Sequence, residues 1–281
     1  MLLNMFTRGA RRLALTALFG LAALPAMAQD LPESLENQGT RLQGDQITFC
    51  LDRGAPGAAF DMKVGQAIAD ALLVKAAFTD SPSGFPIDAG GYLAELKIVM
   101  ANKCDVLLGI SLQPNFPYPD WATPTRPYAT VPFVLAVTDP NYKSLADIPR
   151  DKMLGTALGS IGEYTFITYS LQQPEDQRWK RLPYADPNLM LTRLKDGHLG
   201  GIILWQPSLL KVTNGDPAAA GVRIVPTDPV PASGVDVAAL VSSRDSFLRS
   251  QIDDAIASLT ADGTIQSLLD SVKFAGTPAA D

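Results

Sequence analysis

Residues 114–132 constrain the fold more than any other stretch. They hold six prolines together with the aromatics Phe116, Tyr118, Trp121 and Tyr128. Proline has no amide hydrogen to give a helix and disfavours the α conformation at the residue before it, so this segment must run extended, as a crossing or rim. It divides the chain into two blocks, each patterned as alternating strands and helices.

Before it, the run 47–51 predicts a strand, followed by a loop over 52–60 rich in Gly, Ala and Pro. Asp61 then stands as the cap of a helix whose apolar positions are Val64, Ala67, Ile68, Ala71 and Leu72. Leu93, Leu96, Val99 and Met100 space a second helix, which feeds a strand from 104 or 105 to 109. Strand, helix, helix, strand in that order implies a parallel α/β sheet. After the proline-rich segment come a strand over 131–137, a new unit from Asp139-Pro140, and a strand over 153–158. Gly159-Ser160 leads into a helix over 161–171, Asp186-Pro187 caps another to 194, and 201–204 reads as a buried strand. Pro226, Pro229 and Pro231 mark the next break. A strand over 235–241 and two helices, separated by the turn Asp262-Gly263-Thr264, complete a picture of two α/β lobes joined at proline-rich crossings.

The N-terminus carries a different signal. Arg8, Arg11 and Arg12 precede an apolar run over 13–24 that closes with Ala26-Met27-Ala28, and the first acidic residue is Asp30. This is the pattern of a secretory signal peptide cleaved after Ala28. Twelve apolar residues fall short of the roughly 20 that span a bilayer, so no permanent membrane anchor is expected. Ordinary secretion fits better than twin-arginine export, because Ala14 follows the Arg11-Arg12 pair where a bulky apolar residue is usual. Residues 1–28 contain three Arg and no acid, so 23 basic groups become 20 against 29 acidic ones, and the mature chain carries a net charge of −9. With no basic stripe to offset that charge, nucleic-acid binding is not expected.

Cys50 and Cys104 are the only cysteines. In an exported chain an even pair most simply forms a disulfide, the other reading being two buried thiols. A bond between neighbouring strands would close a loop of more than fifty residues, worth about 4 kcal/mol on the chain-entropy model. The spacing fits neither Cys-x-x-Cys redox chemistry nor a zinc knuckle.

The order of these parts resembles the periplasmic solute-binding proteins of type 2, family 3, over about residues 45–274. The resemblance is carried by the Phe60-Asp61 helix start, Cys104-Asp105-Val106 with Gly109, Thr125-Arg126-Pro127-Tyr128, Ser144-Leu145-Ala146-Asp147-Ile148, Gly159-Ser160 and Asp262-Gly263-Thr264. It implies a two-lobed α/β fold with a central cleft. One discontinuous lobe would comprise 45–131 and 236–275 and the other 132–235, after a signal peptide over 1–28 and a polar lead-in over 29–44, with a tail over 276–281. Ligand would be clamped by hinge closure at crossings near 128–133 and 233–237.

Two departures bear on the ligand. Amino-acid binders of that family hold the ligand carboxylate with an Arg shortly after the strand matching 106–110, where this chain reads Ser111-Leu112-Gln113-Pro114. They hold the ammonium with an Asp where this chain has Leu204-Trp205-Gln206-Pro207. Without the guanidinium and its carboxylate counterpart, a free α-amino acid is a poor ligand. Phe49-Cys50, Cys104 to Gly109, Thr125 to Tyr128 and Trp205 to Pro207 instead resemble the quinoprotein dehydrogenase-associated branch, which includes the J proteins of methanol-oxidation operons. That resemblance implies a periplasmic accessory of a pyrroloquinoline-quinone alcohol dehydrogenase, with the dehydrogenase and its c-type cytochrome as partners. The alternative is the substrate-binding component of an ABC importer, partnered by a permease and a small solute. No enzymatic activity, metal or cofactor is expected of the chain itself.

Cleft candidates are Asp52, Arg53, Ser111, Arg126, Tyr128, Gly159, Ser160 and Trp205. Each has a plainer reading. Asp52 and Arg53 are equally suited to surface ion pairs, as is Arg126. Gly159 and Ser160 present a helix N-terminus to an anion, or Ser160 and Glu163 form a capping box that uses those donors. Trp205 stacks on ligand or packs in a core. Tyr128 shares that choice with Trp121, unless both form an apolar rim for a protein partner. His198, the only histidine, sits in a turn and is expected to be solvated, which leaves a Ser-His-Asp site unsupported. A dehydratase of prephenate type on the same fold would need a carboxylate-binding Arg and a placed general acid.

Overall fold

A computed structural model of the chain describes residues 44–81, 89–112 and 118–280. These belong to one compact unit, Glu33–Asp281. The signal-peptide and lead-in expectations, and the prolines Pro114 and Pro117, lie outside the described residues.

In chain order, β1 (Gln46–Leu51) leads to helix α1 (Ala58–Ala71), β2 (Lys75–Asp80), α2 (Ala89–Asn102) and β3 (Val106–Leu112). β4 (Ala122–Pro124) and β5 (Ala129–Val137) follow, then β6 (Met153–Ala157), α3 (Ile161–Leu171), β7 (Lys180–Tyr184), α4 (Pro187–Lys195) and β8 (Leu199–Trp205). The chain closes with α5 (Gln206–Val212), β9 (Arg223–Val225), β10 (Ser233–Ser242), α6 (Ser246–Ala261), α7 (Thr264–Val272) and β11 (Thr277–Pro278).

The principal strands form one curled sheet in the order β2-β1-β3-β10-β5-β8-β6-β7. β2, β1 and β3 are mutually parallel, as are β7, β6 and β8. The two parallel groups are joined by antiparallel β10 and β5, whose register runs from Ala129 opposite Val237 to Phe133 opposite Ser233. The described part of the proline-rich segment, 118–132, therefore leads through β4 into β5, the strand that crosses from one half of the sheet to the other. Pro132 sits within β5, opposite Gly234. Within the segment 276–281, Thr277 and Pro278 pair with Thr130 and Ala129 of the crossing strand.

Central strands are buried on both faces, as parallel sheets covered by helices require. In β1, Ile47, Phe49 and Leu51 pack with Val64 and Ile68 of α1 and with Leu248, Ile252 and Leu269 of α6 and α7. Cys50 points the other way, into a layer with Leu96, Val99, Cys104, Leu107 and Leu240. The same period of two governs β5. Val134 and Ala136 join Met190 and Leu194 of α4, and Leu135 and Val137 join Phe166 and Trp179.

Two sequence expectations shift. α1 begins at Ala58, so Asp61 lies in its first turn and is buried rather than capping it. The edge strands β2 and β7, with sequences KAAFTD and KRLPY, carry too little apolar alternation to register as strands; pairing with β1 and β6 supplies what propensity does not.

Cys50 and Cys104 form a disulfide with Cα atoms 5.7 Å apart, and the reading of two buried thiols gives way. It ties β1 to the start of β3 and encloses α1, β2 and α2 in a loop spanning 54 positions. Replacing both cysteines by Ala is expected to lower the unfolding free energy by up to about 4 kcal/mol, measured by urea denaturation against the oxidised parent. An unchanged midpoint would contradict that role.

Candidate functional site

At the seam between the two halves of the sheet lies a cavity of about 610 Å³. Ser111 at the end of β3 and Val235 of β10 line it from the first half, and Phe133 of β5 from the crossing. The second half contributes the turn 157–161, then Tyr184, Ala185 and Pro187, then Leu204, Trp205 and Ser208. No charged residue is among these lining residues.

The turn 157–161 owes its shape to local chemistry. Gly159 takes φ of +72°, a left-handed conformation that glycine adopts without penalty, and lets the chain reverse from β6 into α3. Leu158 N–H donates to the Tyr184 carbonyl at 2.9 Å and Ser160 N–H to that of Ala157 at 3.2 Å. Ser160 is the N-cap of α3, its hydroxyl accepting from Glu163 N–H at 3.1 Å. The Glu163 carboxylate, buried beneath the turn, accepts Gly159 N–H at 2.6 Å and the Thr156 hydroxyl at 2.7 Å, and pairs with Arg181. The capping reading of Ser160 and Glu163 thus holds, with the carboxylate reaching Gly159 rather than the N-cap amide. The amides of Gly159, Ser160 and Glu163 are all occupied within the protein.

Trp205 ends β8 opposite Phe133 and starts α5. Its ring meets Phe274 edge-on at 5.9 Å, and Phe274 stacks on Phe60 at 4.9 Å. One residue therefore both walls the cavity and packs against the core of the opposite half. A second contact between the halves is the Lys211 ammonium donating to the Gly54 carbonyl.

Four of the eight cleft candidates, Ser111, Gly159, Ser160 and Trp205, converge on this cavity. The other four do not line it. Asp52 accepts Gly54 N–H at 2.8 Å within its own loop, and Arg53 pairs with the exposed Asp80. Arg126 lines a separate surface depression with Arg249, Asp253 and Asp254, its backbone N–H donating to Asp253 at 2.7 Å. Tyr128 is wholly buried. Its hydroxyl donates to Asp61 at 2.7 Å and accepts Gly109 N–H at 2.9 Å, fastening α1 and β3 to the entry of β5. His198 is exposed, as its turn position implies.

Sequence reasoning passed over Phe133, Leu158, Tyr184, Pro187 and Ser208 as cleft residues. Leu158 adjoins the Gly159-Ser160 motif and was within reach of it. Tyr184 was not, because β7 itself had no sequence signal.

No protein-family model matches the chain, and no curated protein matches it. Among solved structures, it aligns with the second substrate-binding domain of GlnP from Lactococcus lactis in its open conformation. That match has a TM-score of 0.61 and 17% identity, covering 83% of this chain and 97% of that one. The unliganded L-cystine solute receptor of Neisseria gonorrhoeae aligns with a TM-score of 0.58 and 22% identity, over 85% and 94% of the two chains. The arginine-bound ABC-transporter substrate-binding protein AbpA of Streptococcus pneumoniae does so at 0.53 and 19%, over 85% and 97%. The chain has the type 2 periplasmic-binding fold. Within that fold the cavity between the two halves occupies the position expected of a cleft where strand ends and helix N-termini converge.

Two expected outcomes follow from the site's framework. Burial pushes the Asp61 carboxyl up to about 7, against the opposing pull of the Tyr128 hydrogen bond. The native state then holds a proton that the unfolded chain releases near its ordinary value of 3.8, so this contribution is complete below about pH 4 and is lost as pH rises through 7. Asp61→Asn should flatten that decline, read as urea midpoints at pH 5 and pH 8 for both proteins. At Gly162, a Cβ would stand 2.7 Å from the Phe133 ring on the cavity wall. Gly162→Ala should cost about 1–3 kcal/mol by overpacking, whereas Thr168→Ala on the exposed face of α3 should change little.

Proposed function

We propose that this chain is a periplasmic solute-binding protein that captures a small solute in the cavity between its halves and presents it to an ABC permease. The observation that carries this reading is the 610 Å³ cavity at the β5–β10 seam, a size typical of small-molecule sites. The named solute-binding proteins of the same fold support it. So does the division of the core, in which one set of clusters gathers residues from 45–131 and 236–275 and the other from 132–235. These two segments are the proposed lobes, and β5 with β10 is the proposed hinge. The absence of a charged clamp among the described residues that line the cavity favours a solute other than a free amino acid, and Ser111, Gly159, Ser160 and Trp205 are the proposed contacts.

A second reading keeps the fold and changes the partner. The chain would assist a quinoprotein alcohol dehydrogenase in methanol or alcohol oxidation, with the dehydrogenase and its c-type cytochrome as partners. The Cys50–Cys104 bond favours it, since paired cysteines at these positions are part of the resemblance to that branch.

One pair of measurements separates the two. Under the importer reading a solute from a metabolite panel stabilises the purified protein by about 2.7 kcal/mol at a hundred times its Kd, and cells lacking the chain lose uptake of that solute. Under the accessory reading no solute shifts the melting curve, and the deletion abolishes alcohol oxidation instead. Normal alcohol oxidation in the deletion strain eliminates the accessory role.

A further inference from the structure

We propose that the cavity selects an uncharged small molecule with a compact apolar body; this rests on the solute-binding reading and specifies its substrate class. Three observations carry it. First, among the described residues the walls offer no formal charge; their polar partners are the hydroxyls of Ser111, Ser160, Ser208 and Tyr184, the indole N–H of Trp205, which has no partner within the protein, and backbone groups. A carboxylate or ammonium moved from water into such a lining would leave its hydration without an ionic partner, which disfavours binding.

Second, the start of α3 is poorly suited to an anion. The amides of Gly159, Ser160 and Glu163 are bonded internally, and a carboxylate, that of Glu163, is held beneath the turn. Arg181 is committed to that carboxylate, so it neutralises the buried charge rather than attracting an anion into the cavity.

Third, Leu158 stands 55% exposed at the cavity wall, although a leucine gains nothing from contact with water there. Leu158 and Trp205 belong to the same wall, both reached from the second half of the sheet. A ligand with an apolar body would cover the exposed half of the Leu158 side chain, a gain of roughly four- to fifteenfold in affinity. A ligand without an apolar body would gain nothing at that position.

The test uses the full mature chain and matched probes that share one apolar body. N-acetylphenylalaninamide is neutral, N-acetylphenylalanine anionic, phenylalaninamide cationic and phenylalanine zwitterionic. These head a larger library of uncharged and charged metabolites of similar size, screened by thermal shift and followed by calorimetry. Binding confined to the uncharged members is expected, and Leu158→Asp, an exposed change that should leave the melting temperature of the free protein unaltered, is expected to weaken it at least tenfold. Hits among the charged members, or binding indifferent to Leu158→Asp, overturn the proposal and leave solute binding standing. No binding from either set overturns both.

Discussion

Five backbone pairs between β5 and β10, from Ala129–Val237 to Phe133–Ser233, connect what would otherwise be two separate parallel sheets. Each half-sheet has its own helices and its own cores, and these antiparallel strands carry the backbone pairing that makes them one sheet. β11 adds to β5 at Thr130 and Ala129, and the Thr130 hydroxyl donates to Asp236 on the facing strand, so the crossing is bonded on both sides. The cavity exists because the sheet curls where these strands pass, and its walls are the strand ends and turns that face one another there.

What fills those walls follows from how buried charge has been handled elsewhere. Glu163 is a carboxylate inside the protein and would be prohibitive if unpaired, yet it takes two hydrogen bonds from Thr156 and Gly159 and an ion pair from Arg181. The same network sets the turn that carries Leu158 into the cavity. Asp61 meets burial in a different way: with one hydrogen bond from Tyr128 and no cation beside it in that network, its carboxyl is driven toward the neutral form. Neither acid reaches the cavity, which is left to hydroxyls, aromatics and aliphatic side chains.

The fold was legible wherever burial imposes a strong period. β1, β5, β8 and β10 are apolar on one or both faces, and α3, α6 and α7 carry clear helical spacing or caps, so their existence and order were readable from the chain. β2 and β7 were not, because an edge strand half exposed to water needs no apolar run. The site was half legible. Gly159-Ser160 and Trp205 stand where a turn and a strand end meet a cleft. Tyr128 and Arg126 belong to the same Thr-Arg-Pro-Tyr motif, yet Tyr128 is sealed against Asp61 and Arg126 lines a depression beside α6, so both missed the cavity.

The sequence alone determined that this is an α/β chain crossed by proline-rich segments, with an export-like N-terminus, one pair of cysteines and no guanidinium at the position the resemblance assigns to a carboxylate clamp. These are matters of local pattern and of which residue types are present. Only the tertiary structure decided that the cysteines bond, that the last residues pair with the crossing strand, that Tyr128 is sealed against Asp61, and that Phe133, Leu158 and Tyr184 share a cavity with Trp205. The reason is physical. Each of those outcomes depends on residues from separate strands arriving at one place, and that distance is set by sheet order and curl rather than by anything encoded within a few positions of the chain.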